Sequence, residues 1–125
     1  MHWTATMTEF VRVADLSDIP EGTALKVTVD NRPVAVVNTK EGVFAISDYC
    51  SHADISLSEG EVVDCTIECW LHGSQFDLRT GAALGPPAVA SVDTYAVRLV
   101  DDGATTQVEI SSVPQLLNAE ERPTA

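Results

Sequence analysis

Leu25-Lys26-Val27-Thr28-Val29-Asp30-Asn31-Arg32-Pro33-Val34-Ala35-Val36-Val37 decides the architecture. Leu25, Val27 and Val29 alternate with Lys26 and Thr28, the period of a strand with one buried face. Asp30-Asn31 is a tight-turn signal and Arg32-Pro33 opens a second strand. Residues 34–37 are apolar without alternation, as in a strand covered on both faces.

Upstream of this hairpin, Ile19-Pro20-Glu21-Gly22 is a turn signal, residues 8–13 with Phe10, Val11 and Val13 predict an edge strand, and residues 1–7 read as a flexible leader. Downstream, Lys40-Glu41-Gly42 turns the chain, and Val43-Phe44-Ala45-Ile46 runs into Tyr49-Cys50. Residues 61–68 predict a short hairpin with Val62, Val63 and Ile67 buried. Gln75-Phe76-Asp77-Leu78 predicts another strand, and Arg79-Thr80-Gly81 a hairpin turn with Gly81 at positive φ. Gly85-Pro86-Pro87-Ala88 is a stiff loop, since proline restricts itself and its predecessor. Residues 95–100 and 107–110 flank Asp101-Asp102-Gly103 as a closing hairpin, and residues 113–125 form a tail, frayed or with one short helix. Many short strands with frequent turns predict an all-β fold, a small antiparallel β-barrel or sandwich with a loop-bearing subdomain inserted at one end.

The chain has 125 residues, 45% of them hydrophobic, enough for one domain with a core that needs neither disulfide nor metal. Nineteen acidic against seven basic side chains give a formal charge of −12. That argues against nucleic acid and anionic membranes as partners and favours proteins with basic docking faces. The first residues lack a basic start followed by an apolar run, and unbroken apolar stretches such as residues 34–37 are far too short to span a bilayer, so the expected location is the cytoplasm. Three cysteines, an odd number, do not make a disulfide framework, and a reducing compartment suits thiolate ligands.

The chemistry lies in two short segments, Cys50-Ser51-His52 and, after a sixteen-residue gap, Cys69-Trp70-Leu71-His72-Gly73. Each offers one thiolate and one imidazole. Two Cys and two His are the ligands of an iron–sulfur centre in which imidazoles replace two cysteines on one iron. The same four residues would also suit tetrahedral zinc, and a β scaffold binding a protein partner without metal is the remaining alternative. Zinc modules usually occur in shorter chains that need the ion to fold, whereas this core stands alone. The third cysteine, Cys65, fits neither segment and reads as a buried small hydrophobe.

Cys-x-His, a mid-length gap, Cys-x-x-His-Gly, a following Phe-Asp and a proline-bearing loop resemble the Rieske ferredoxins over residues 9–110. The resemblance implies a Rieske [2Fe-2S] domain at residues 8–112, with cluster-binding loops at 49–54 and 69–76 and a shielding loop at 85–88. Cys50 and Cys69 would hold the inner iron, and His52 and His72 the outer one. It implies a one-electron carrier, itself no enzyme, between a reductase and an oxygenase. Cys-Ser-His-Ala-Asp with Ile-Glu-Cys-Trp-Leu-His-Gly also looks like a bacterial subgroup encoded beside iron–sulfur assembly proteins, which makes assembly machinery the other candidate partner. Only fifty-three residues follow His72, and the one further histidine is His2, so a mononuclear-iron oxygenase domain is not expected.

The chain departs from the family in ways that bear on potential. Trp70 replaces the proline common after the second cysteine, and Ile55 and Leu71 stand where respiratory members carry an extra disulfide. Ser74 matches a serine that hydrogen-bonds cluster sulfur in those members, but Phe76 stands at the position of a tyrosine and has no hydroxyl to donate. With fewer donors stabilising the reduced state, the expected potential lies toward the lower end of the roughly −150 to +300 mV Rieske range.

Overall fold

In the computed structural model, residues 9–48, 56–69, 73–84 and 91–112 are described. The expected leader, the loop at 85–88 and the tail from residue 113 lie outside them. Among the described residues ten strands run in chain order: β1 (Phe10–Asp15), β2 (Thr23–Val29), β3 (Arg32–Thr39), β4 (Gly42–Ser47), β5 (Glu61–Val63), β6 (Thr66–Glu68), β7 (Gln75–Asp77), β8 (Thr94–Tyr95), β9 (Val97–Asp101) and β10 (Thr106–Ser111). Short 3-10 turns at Leu16–Asp18 and Leu57–Glu59 are the helical pieces among the described residues.

Asp30 and Asn31 join β2 to β3 with φ of 54° and 66°. Positive φ at both central residues is what a two-residue turn needs to match the twist of its strands, and Asp and Asn tolerate it best after glycine. The register that follows pairs Val29 with Arg32 and Lys26 with Ala35. β4 adds to the other side of β3 and β8 to β4, giving a four-stranded antiparallel sheet in the order β2-β3-β4-β8.

Residues 34–37 of β3 are fully buried, as their unbroken apolar run predicts. Val34 and Val36 point into a core with Ile19, Val29, Ala45, Tyr95, Val108 and Ile110, beneath the sheet β1-β10-β9. Ala35 and Val37 point the other way, into a core with Ile46, Leu57, Ile67, Cys69, Phe76 and Leu78, shared with the sheet β5-β6-β7. β3 is therefore a wall between two cores, which is why it lacks a polar face. The architecture is a sandwich of antiparallel sheets with a third small sheet inserted between β4 and β8. None of the three sheets closes into a barrel among the described residues.

Local expectations hold with three differences. β1 begins at Phe10 and runs to Asp15, paired among the described residues with β10 alone as an edge strand, with a register shift between Arg12 and Ala14. Val63 is 43% exposed, because in the β5-β6 hairpin it points away from the core that takes Ile67. The run at 95–100 is two strands. At Ala96 the chain leaves the four-stranded sheet for the other, held by the Ser111 hydroxyl accepting its N–H at 3.0 Å and the Ser111 N–H donating to its carbonyl at 2.9 Å. No breaker residue marks that corner in the sequence.

Candidate metal centre

Of the four predicted ligands, Cys69 is among the described residues, and Cys50, His52 and His72 lie outside them, as do Trp70, Ile55 and Leu71. The anchors of each loop are nevertheless defined. Cys69 follows β6 directly and is fully buried in the core beside Ile67 and Phe76. Its N–H donates to the Ser74 carbonyl at 2.6 Å, and its carbonyl accepts the Gly73 N–H at 2.9 Å. The second loop is thus the tip of the β6-β7 hairpin, continuing the Glu68–Gln75 pair. Gly73 holds φ +77°, a left-handed turn that a side chain disfavours, and this lets the chain reverse from Cys69 back to Ser74. Ser74 is buried and Phe76 fully so, which fixes both of the positions expected to bear on potential.

The first loop leaves at the end of β4 and returns at the turn Leu57–Glu59. Asp48, fully buried, binds both ends together: its carbonyl accepts the Leu57 N–H and its Oδ1 accepts the Ser58 N–H, each at 2.7 Å. Its own N–H donates to the Pro33 carbonyl at 3.1 Å, tying the loop to the start of β3. Nothing in the sequence signals this role of Asp48, because a lone acid after an apolar strand reads as the start of a surface loop.

The third loop is rooted on the same base. The Leu84 N–H donates to the Gln75 carbonyl, the Val92 N–H to Gly81, and the Ser47 N–H to Asp93, all at 2.8 Å. Gly81 has φ +78°, as its place in the turn predicts, and a Cβ there would fall on the Val92 carbonyl. Backbone hydrogen bonds therefore bring the feet of the segments at 49–55, 70–72 and 85–90 to one end of the molecule.

Cys65 is 5% exposed and packs beneath the hairpin, as a buried small hydrophobe. Burial pushes its thiol pKa up, and the nearby Asp77 carboxylate pushes the same way. It is unsuited to be a ligand, which must be a thiolate.

The Rieske [2Fe-2S] domain model matches residues 9–96. The chain belongs to this family. Its relatives include the 3-phenylpropionate/cinnamic acid dioxygenase ferredoxin subunit of Shigella flexneri, 44% identical over 67% of this chain and 79% of that protein. The ferredoxin component of biphenyl 2,3-dioxygenase from Rhodococcus jostii is 36% identical over 78% of this chain and 92% of that one. Among solved structures, the ferredoxin of carbazole 1,9a-dioxygenase from Nocardioides aromaticivorans has a TM-score of 0.70 at 40% identity, covering 79% of this chain and 95% of that chain. A complex of reduced oxygenase and oxidized ferredoxin in carbazole 1,9a-dioxygenase matches with a TM-score of 0.77 at 30% identity, covering 86% and 97%. This Rieske chain is accordingly a ferredoxin, an electron carrier whose cofactor is a [2Fe-2S] cluster. The donor set fits that cofactor: Cys69 is a buried, disulfide-free cysteine at a hairpin tip, and the rest of the Cys2His2 set lies on segments whose anchors share its end of the fold. Among the described residues no helix is long and apolar enough to cross a membrane.

Proposed function

We propose that this ferredoxin passes single electrons from a reductase to the terminal oxygenase of a multicomponent oxygenase system, and that it has no catalytic activity of its own. Cys50 and Cys69 hold one iron of the cluster, His52 and His72 the other, within a domain spanning residues 8–112 and with residues 85–88 as the shield. When bound, the cluster supplies a reversible one-electron change centred on the imidazole-ligated iron. The protein's part is to anchor the feet of the two ligand-bearing segments through Asp48, Leu57, Cys69 and Ser74 and to bury Cys69 from water. The likeness to the ferredoxin in the carbazole 1,9a-dioxygenase complex, over nearly the whole of that chain, supports the oxygenase as acceptor.

The charge distribution supports a basic docking face on the partner. Residues 56–84, which carry the second loop, hold Glu59, Glu61, Asp64, Glu68 and Asp77 against a single cation, Arg79, itself paired with Glu41. A cytoplasmic location suits thiolate ligands and two cysteines, Cys65 and Cys69, that form no disulfide.

The test is twofold. The purified protein is expected to be red-brown, to bleach with dithionite and to give a reduced electron paramagnetic resonance signal of mixed imidazole–thiolate ligation; a colourless protein holding zinc or no metal would reject the carrier reading. Stopped-flow transfer to a purified terminal oxygenase should then slow as ionic strength rises, since charge steering is screened.

A further inference from the structure

Asp48 is a buried acid whose second oxygen has no hydrogen-bond partner. The side chain is 0% exposed, and Oδ1 is engaged by the Ser58 N–H. Oδ2 is buried without a hydrogen bond, and the cation nearest to it among the described residues is the Lys26 ammonium at 3.9 Å, on a side chain that is 51% exposed. A buried carboxylate oxygen left without a hydrogen bond is costly, and a half-solvated lysine at the outer limit of ion-pair distance compensates it only in part. Lys26, Ala35 and Ile46 are paired across β2, β3 and β4, and Asp48 follows Ile46 by two residues. The carboxylate therefore lies on the face that meets the inserted subdomain, where Ala35 and Ile46 pack with Cys69. It is two residues from Cys50.

We infer that Asp48 is a positioning residue of the metal centre with two separable effects. Its Oδ1 closes the first loop on Ser58, and its charge, with Lys26 as partial counter-ion, sets a negative potential at the root of the loop that carries Cys50 and His52. This rests on the assignment of Cys50 and His52 as ligands. Reduction adds negative charge, so a fixed anion opposes it and lowers the reduction potential, while a neighbouring cation does the reverse. Because Asp48 is buried, its influence is poorly screened by salt, unlike that of the surface carboxylates.

Three variants separate the effects. Asp48→Asn keeps the shape and an oxygen for the Ser58 N–H but removes the charge; its potential at neutral pH should shift upward, at low and high salt alike, with iron content near that of wild type. Lys26→Met leaves Asp48 in place and removes its counter-ion, and its potential should shift downward. Asp48→Ala loses the loop closure as well, and it should lose iron to a chelator several-fold faster than Asp48→Asn. A role in folding alone would not move the first two potentials in opposite directions. Unchanged potential in Asp48→Asn, or shifts of the same sign in Asp48→Asn and Lys26→Met, overturns the inference while the wild-type spectrum still upholds the ligands. A wild-type protein with no Rieske spectrum overturns the ligand assignment and this inference together.

Discussion

The Ser47 N–H donates to the Asp93 carbonyl at 2.8 Å, joining the last residue of β4, before the first ligand loop, to the chain returning from the proline-bearing segment. Asp48 and Val92, the neighbours of this pair, make the bonds to Leu57 and Gly81 that close the other feet of the site. The feet of segments far apart in sequence are thus held together by the scaffold's own hydrogen bonding.

Gly81 is a sensitive point of this base. A left-handed conformation costs a non-glycine residue roughly 1–2 kcal/mol before any clash, and here the new Cβ would also meet the Val92 carbonyl. Gly81→Ala should lower the melting temperature by more than about 5 °C and increase the loss of iron on dilution. A melting temperature within a degree of wild type would show that the turn relaxes without the base.

The two faces of the β5-β6 hairpin should respond differently to truncation. Ile67 is fully buried, so Ile67→Ala should cost about 2–5 kcal/mol in denaturant unfolding. Val63, on the opposite and solvent-facing side, should tolerate alanine within about 0.5 kcal/mol. Equal losses would mean that the hairpin packs in the other register.

Cys65 is shielded chemically as well as sterically. Its thiol pKa is raised by burial first and by Asp77 second, so any stability it contributes is complete below the unfolded-state pKa and is lost as pH rises through the raised folded value. Iodoacetamide at mildly alkaline pH should leave Cys65 unmodified in the native holoprotein and modify it on unfolding, as read by peptide mass spectrometry. Rapid native labelling would place the thiol at the surface.

Asp102 holds the β9-β10 turn through its carboxylate, which accepts the Thr105 and Ala104 N–H groups and lies within reach of the Gln107 side chain. These bonds, the Thr105 amide first, hold its pKa below the usual carboxylate range. Its contribution to stability is therefore present above the unfolded-state pKa and is lost as pH falls through the folded value. Asp102→Asn should flatten the acid limb of a stability–pH curve, measured by urea unfolding at successive pH values. An unchanged acid limb would assign that limb to other carboxylates.

The ligands should separate by type. Cys50→Ser and Cys69→Ser should lose most of the iron, whereas His52→Cys or His72→Cys should retain some cluster at lower potential, because thiolate favours ferric iron. Equal iron content in all four variants would contradict the assigned roles.

Much of this was legible because local chemistry and tertiary context agree. Asp30-Asn31 demands its turn, residues 34–37 demand burial on both faces, and Gly81 demands positive φ. Features decided by distant chain segments were not legible. Nothing in Tyr95-Ala96-Val97 signals the change of sheet, which depends on Ser111, fifteen residues on. Val63 and Val62 are equivalent in an apolar pair until the pairing with Thr66 and Ile67 sets which one faces inward. Asp48 has a role only because Leu57 and Ser58 come back to it.

The shared wall formed by β3 has a consequence for how the protein comes apart. Its two faces serve different cores, so the hydrophobic body around Val34 and Val36 can persist when the opposite side opens. Stripping iron with a chelator should raise amide hydrogen exchange across residues 56–84 first, while the amides of β3 and β10 stay protected until global unfolding. A sub-globally open apo state of this kind would keep its scaffold assembled while the ligand loops are exposed, a form able to receive iron and sulfide without refolding.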